Sequence, residues 1–231
     1  VLYVDNKKNV IDAIMHISEY TNKELIEYNI DELKDMRDAI IKKKKEMILS
    51  DQVAELKSYA LYSDIIDTYH AILSNELYDT PLILEWNTWR AMTMLDGGTI
   101  KGNFNVDDTG QPMSTAQGNM PDIECDYGDF SVIVEVTMQR GQKQYESEGE
   151  PVARHYGKLK IKTGKETYCL FIAPAINKST LSYFYGLSKI DISYYGGKSK
   201  IIPLDLEKFM KLIENAYSYD IQPNPKDMNN L

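Results

Sequence analysis

Residues Phe130-Ser131-Val132-Ile133-Val134-Glu135-Val136-Thr137 form an apolar, β-branched run interrupted by a single carboxylate. Such a run reads as a buried strand. A lone carboxylate there costs several kcal/mol unless it is neutralised, paired or bound to a metal. The natural partner is Asp122, thirteen residues earlier (135 − 122), in Pro121-Asp122-Ile123-Glu124-Cys125-Asp126. Tyr127-Gly128 reads as a tight turn between two short strands. With 126 opposite 129, Asp122 falls opposite Ile133, on the face shared by Ser131, Ile133, Glu135 and Thr137. It is then diagonal to Glu135, at about 7–8 Å between backbones. Two carboxylates so placed can hold one Mg²⁺, which takes oxygen ligands at about 2.0–2.1 Å. The alternative on this segment alone is a half-exposed hairpin with solvated acids, and a one-residue slip would put the two acids on opposite faces.

The 231 residues suffice for one sizeable core, or one domain with a helical extension. The chain opens on Val1, which reads as a fragment or a processed chain. No apolar run approaches the roughly 18–20 residues that cross a bilayer, so no membrane partner is expected. Cys125 and Cys169 each lie in a strand-like run without a second ligand at zinc spacing. They read as reduced core thiols of a cytoplasmic protein. The net charge of −9 argues against nucleic acid. A catalytic module tethered to a separate recognition domain escapes that objection. Lysines do cluster at Lys42–Lys45 and at Lys158, Lys160, Lys162 and Lys165, more in the manner of solvated helix faces than of a phosphate track.

Residues 8 to 79 carry helical periodicity without Gly or Pro: one helix through Ile11, Ile14 and Ile17, a second opened by a Thr21–Glu24 capping box, and a third from Asp51. His16 and His70 sit there singly and read as structural. Pro81 opens another helix, from Leu82 to about Leu95, with Trp86 and Trp89 flanking Glu85; Gly97-Gly98 ends it. A strand over 99–106, a polar loop over 107–120, the hairpin, a helix from Gly141, a strand over 166–172, a helix near 179–186, a strand near 200–204 and a helix from Asp205 to Tyr217 follow. Alternating strands and helices predict an α/β core with a mixed central sheet. The division predicted is a helical subdomain over 1–79, a core over 80–219 and a polar, frayed tail over 220–231. Asp107-Asp108, Glu124 and Asp126 read as solvated, and most tyrosines, among them Tyr183, Tyr185, Tyr194 and Tyr195, as core or interface residues. Neither a nucleophile elbow nor a GxxxxGK phosphate loop is present.

The order of a helix with Glu, Pro-Asp, a strand acid and a further helix resembles the PD-(D/E)xK nuclease superfamily. From Glu135 through Arg140-Gly141-Gln142-Lys143-Gln144-Tyr145-Glu146-Ser147-Glu148 to Arg154-His155, the chain resembles the AlwI-type restriction endonucleases, type IIS and nicking enzymes of the BstNBI kind. The resemblance spans about residues 80–215. It implies a restriction-endonuclease-like core and a Mg²⁺-dependent cleavage domain acting on double-stranded DNA in a restriction–modification system. One or two ions are implied, with Mn²⁺ able to substitute. The recognition domain would lie in the same parent polypeptide, N-terminal of Val1. Asp122 and Glu135 become metal ligands with the Val136 carbonyl as a third, Glu148 a further acid on the following helix, and Glu85 the acid of the first core helix.

One departure matters. The superfamily lysine two residues after the strand acid is Thr137. Lys143 or Gln144 could reach the site in its place, or Glu148 could hold a water or metal. Arg154-His155 reads either as a phosphate contact or carboxylate-orienting pair, or as salt bridging to Glu146, Glu148 or Glu150 along the helix. Cutting both strands needs two such sites, hence a second catalytic subunit or a transient dimer; a monomer would nick. Two rivals stand beside this reading: a repair or resolvase-type nuclease that reads DNA structure, and a catalytically silent dimerisation module on the same fold.

Overall fold

The computed structural model describes residues 6–107, 109–116 and 118–219; Asp108 and the tail from 220 lie outside the described residues. The chain forms two compact units, one of residues 1–52 with 106–111, the other of 53–105 with 112–231.

The first unit is helical. Helix α1 (Lys7–Ile17) starts where the Asn6 side chain accepts from Asn9 N. The Thr21–Glu24 box forms, with Thr21 N donating to Glu24 Oε2 at 2.7 Å, but it opens only the single turn α2 (Asn22–Leu25). A second cap at Asn29, whose Oδ1 accepts from Asp31 N and Glu32 N, starts α3 (Ile30–Lys57). The expected second and third helices are therefore redrawn, because the chain turns between Leu25 and Ile30 and then runs through Asp51 uninterrupted. Val10, Ile11, Ile14, Leu25 and Leu33 make this unit's core.

In the second unit α4 (Tyr62–Leu73) packs on α5 (Thr80–Leu95). Asp79 caps α5, Pro81 sits in its first turn, and Asp96 (φ +54°) and Gly97 (φ +85°) end it. Buried Asn87 donates to Ile65 O at 2.9 Å. Buried Arg90 bonds Asn87, pairs with Asp64 and lies 4.5 Å over the Trp86 ring. These contacts fix the helix that carries Glu85. The expected strand over 99–106 divides into β1 (Thr99–Gly102) and β2 (Asn105–Val106). The expected loop after it contains β3 (Pro112–Ser114), which pairs with β2 in a separate two-stranded sheet.

The central sheet has the order β1-β4-β5-β6-β7, with β4 (Ile123–Asp126), β5 (Phe130–Val136), β6 (Glu166–Ala173) and β7 (Ile201–Asp205). β1, β4 and β5 pair antiparallel, and β5, β6 and β7 parallel. Parallel strands need crossovers. Helix α6 (Gly141–Thr163) joins β5 to β6, and α7 (Lys178–Lys189) with a 3₁₀ turn (Ser193–Tyr195) joins β6 to β7. Helix α8 (Leu206–Tyr219) closes the unit. Val152, Tyr156, Phe171 and Phe184 pack between the sheet and α6–α7. The result is the predicted mixed sheet flanked by helices. Cys125 and Cys169 are free and buried. No helix among the described residues is long and apolar enough to cross a membrane.

Candidate active site

The hairpin register decides whether the two acids meet. Ile123 pairs with Val134 and Asp126 with Ser131, and Tyr127 N donates to Phe130 O at 3.0 Å. The loop is thus Gly128-Asp129, not Tyr127-Gly128. Gly128 has φ +86°, the left-handed value a two-residue hairpin asks of its first position. This shifts the expected register by two residues, which preserves the face and carries Asp122 opposite Glu135 instead of diagonal to it. Asp122 sits in the bend before β4, where its Oδ2 accepts from Val136 N at 2.7 Å.

Glu135 is 7% exposed, as befits a side chain in a strand covered on both faces. Its Oε1 lies 2.8 Å from Nδ1 of His155, itself buried. Burial, then the cations Arg154 and Lys158, hold His155 down to about 4, so the imidazole is neutral at pH 7. The contact therefore carries one proton: on Nδ1 when Glu135 is ionised, on the carboxyl when it is not. Burial raises Glu135 well above the usual carboxylate range, with Glu148 and Glu85 adding repulsion. Asp122 is raised likewise by burial, then by Glu135 and Glu148. Glu85, 3% exposed, is pushed up to about 8 by burial and by Asp122; its Oε1 accepts from Ala116 N at 2.8 Å.

Glu148 projects from α6, where Thr137 Oγ1 donates to its Oε1 at 2.9 Å and itself accepts from Gln139 N. The four expected acids, drawn from α5, the β4 approach, β5 and α6, are thus brought together around Asp122 and Glu135, each of which feels the other and both Glu85 and Glu148. Val136 contributes its N–H to Asp122. Such a set of hard oxygen donors, each disfavouring its neighbour's charge, has the chemistry that a divalent cation neutralises. Among the described residues, no three acid, His or Cys side chains already converge as an ion cage. The donors stand in hydrogen bonds instead.

Gln144 does not fill the lysine's place: Nε2 donates to Gln139 O and Ala175 O, and Oε1 accepts from Asn177 N, tying α6 to the β6–α7 connection. Lys143 is exposed. Arg154 divides from its neighbour, pairing with Glu150 at 3.2 Å and donating to Asn119 Oδ1 at 2.7 Å, while His155 orients a carboxylate. Sequence spacing held a clue to this, since Glu148 and His155 are seven residues apart and share one face of α6. The contacts of Ala116 and Asn119 had no such signal. Asp126 is paired with Lys165 and Asp107 caps its own turn through Thr109 N and Gln111 N, so neither is merely solvated. Tyr195 is buried, whereas Tyr185 and Tyr194 are exposed.

The model of one family, described as AlwI restriction endonuclease, matches residues 3–212. Among solved structures, the small subunit (R.BspD6I2) of the heterodimeric restriction endonuclease R.BspD6I is similar. It has 30% identity and a TM-score of 0.62, over 73% of this chain and 85% of that one. No curated protein matches.

Proposed function

Since the chain belongs to the AlwI restriction endonuclease family and is a DNA endonuclease in fold and kinship, we propose that it hydrolyses a phosphodiester of double-stranded DNA with Mg²⁺ held by Asp122 and Glu135. The Val136 carbonyl is the third protein ligand, and Glu85 completes a second position. The observation that carries this is the meeting of Asp122 and Glu135 across the hairpin, with Glu148 and Glu85 beside them.

When bound, the ion lowers the pKa of its water and offsets charge on a non-bridging phosphate oxygen. The protein's own part is to keep the donors in place. Neutral His155 fixes the Glu135 carboxylate through Nδ1. Thr137, where the superfamily has lysine, fixes Oε1 of Glu148 and leaves Oε2 to accept from the attacking water. Resemblance within the family implies 5′-phosphate and 3′-hydroxyl ends. The core over 80–219 would do this work, following the helical segment over 1–79 in the chain.

Base recognition is assigned to a domain of the parent polypeptide, which makes the enzyme a type IIS or nicking endonuclease. A second reading follows from the neighbour, itself named a subunit of a heterodimer. On that reading the chain is one catalytic subunit, and another polypeptide recognises DNA and cuts the other strand.

The test is supercoiled plasmid with Mg²⁺, using the chain alone and within its full-length polypeptide, beside Asp122→Asn and Glu135→Gln. Cleavage at a defined asymmetric site that both variants lose supports the proposal. Activity that survives either change, or that persists in a chelator, defeats it. Cleavage set by DNA structure would favour the repair-type rival, and no cleavage in any arm the silent module.

A further inference from the structure

We propose that a cleft beside the acid cluster seats the DNA strand flanking the scissile phosphate, Arg140 holding a backbone phosphate and the Tyr78 hydroxyl donating to a phosphate or sugar oxygen next to it. This deepens the nuclease reading and rests on it. The cleft, about 660 Å³, is lined by residues of the α4–α5 connection, the start of α5 and the segment leaving β5, among them Ile72, Leu77, Tyr78, Pro81, Met138 and Arg140.

Its position ties it to the acids. Pro81 precedes Glu85 by four residues of one helix, about 6 Å along the axis. Met138 and Arg140 lie three and five residues beyond Glu135, where β5 has ended. Phosphates recur about every 3.4 Å of duplex axis on each strand, a spacing short enough for one strand to serve both the acids and Arg140.

Charge points the same way. In a chain of net charge −9, Arg140 is the one charged side chain among the described residues that line the cleft, and no carboxylate is among them. Asp79, next to Tyr78, has its carboxylate turned to Leu82 N as the α5 cap. Among the described residues Arg140 forms no ion pair. A polyanion drawn to an acidic centre needs a cation beside it, and Arg140 is placed to serve.

Tyr78 supplies the other half. Its side chain is fully exposed (107%) and lines the cleft together with the apolar Ile72, Leu77 and Met138. A solvent-exposed tyrosine hydroxyl can donate to a phosphate or sugar oxygen of a duplex, which gives grip without sequence preference.

Fluorescence anisotropy of a labelled duplex with the full chain in Ca²⁺ tests this, across a salt series, with plasmid cleavage in Mg²⁺ run in parallel. Arg140→Ala and Tyr78→Ala should each weaken binding about tenfold. Arg140→Ala should also flatten the slope of log K against log salt by about 1. Tyr78→Ala should leave that slope unchanged, and Tyr78→Phe, which lacks the hydroxyl, should not restore affinity. Wild-type affinity and slope in both alanine variants, with cleavage intact, would overturn the cleft assignment and leave the nuclease reading standing. A wild-type chain that neither binds nor cuts, even together with the recognition domain or subunit proposed above, would overturn both.

Discussion

At Glu135 stability and the proposed activity oppose each other, because the carboxylate proposed to meet an ion is buried within reach of Glu148 and Glu85. Glu135→Gln and Asp122→Asn remove a disfavoured charge while keeping shape. Each should hold or raise the melting temperature of the ion-free protein at pH 8, read by calorimetry, while lowering cleavage by about three orders of magnitude as several kcal/mol of charge stabilisation are lost. A marked fall in melting temperature would mean that these carboxylates support the fold. His155→Ala frees Glu135 to rotate and should cost about 10–100-fold in activity or metal affinity. Thr137→Val removes the hydroxyl that holds Glu148 and should lower kcat by a similar factor with KM little changed, while Thr137→Ser restores it. Equal loss in the serine variant would show that the methyl group, not the hydroxyl, matters.

Among elements, what could be read from the chain was whatever has a local cause. Pro81 and Gly97 bracket α5, the β-branched run marks β5, and Glu166–Ile172 marks β6, because each signal lies within the segment itself. The hairpin register was out by two, since Gly128 can serve at either central position of a short loop and the sequence does not say which. The even period of a strand kept Asp122 and Glu135 on one face all the same. The break after α2 was obscured by a helical pattern that continues across it, and only the second cap at Asn29 marks it. The Ala116 and Asn119 contacts are long-range and have no periodicity to betray them. Helix α6 passes close to the 3₁₀ turn through Gly157, where a Cβ would stand 2.6 Å from Tyr195 Cα. Gly157→Ala should therefore destabilise by about 1–3 kcal/mol through overpacking. Denaturant unfolding measures this, and a neutral effect would show that the turn yields freely.

Over the whole molecule, the buried acids set a pH dependence of known sign. Glu85, raised from 4.5 to about 8, favours the folded state fully below about 4.5, and that contribution is lost as pH rises towards 8. Asp122 and Glu135 act in the same direction. His155 acts oppositely: held down to about 4, it costs stability as pH falls from 6.5. The ion-free protein should thus lose stability from about pH 6.5 to 8, and Mg²⁺ should return most of it at the alkaline end, read as melting temperature against pH with and without the ion. The most direct measurement is calorimetric titration of Mn²⁺ into the protein at pH 7 in two buffers of different ionisation enthalpy. Wild type should bind with net proton release as the raised carboxyls ionise, and Glu135→Gln should lose both the binding and the released proton. Binding without proton release, or undiminished binding by Glu135→Gln, would contradict the account.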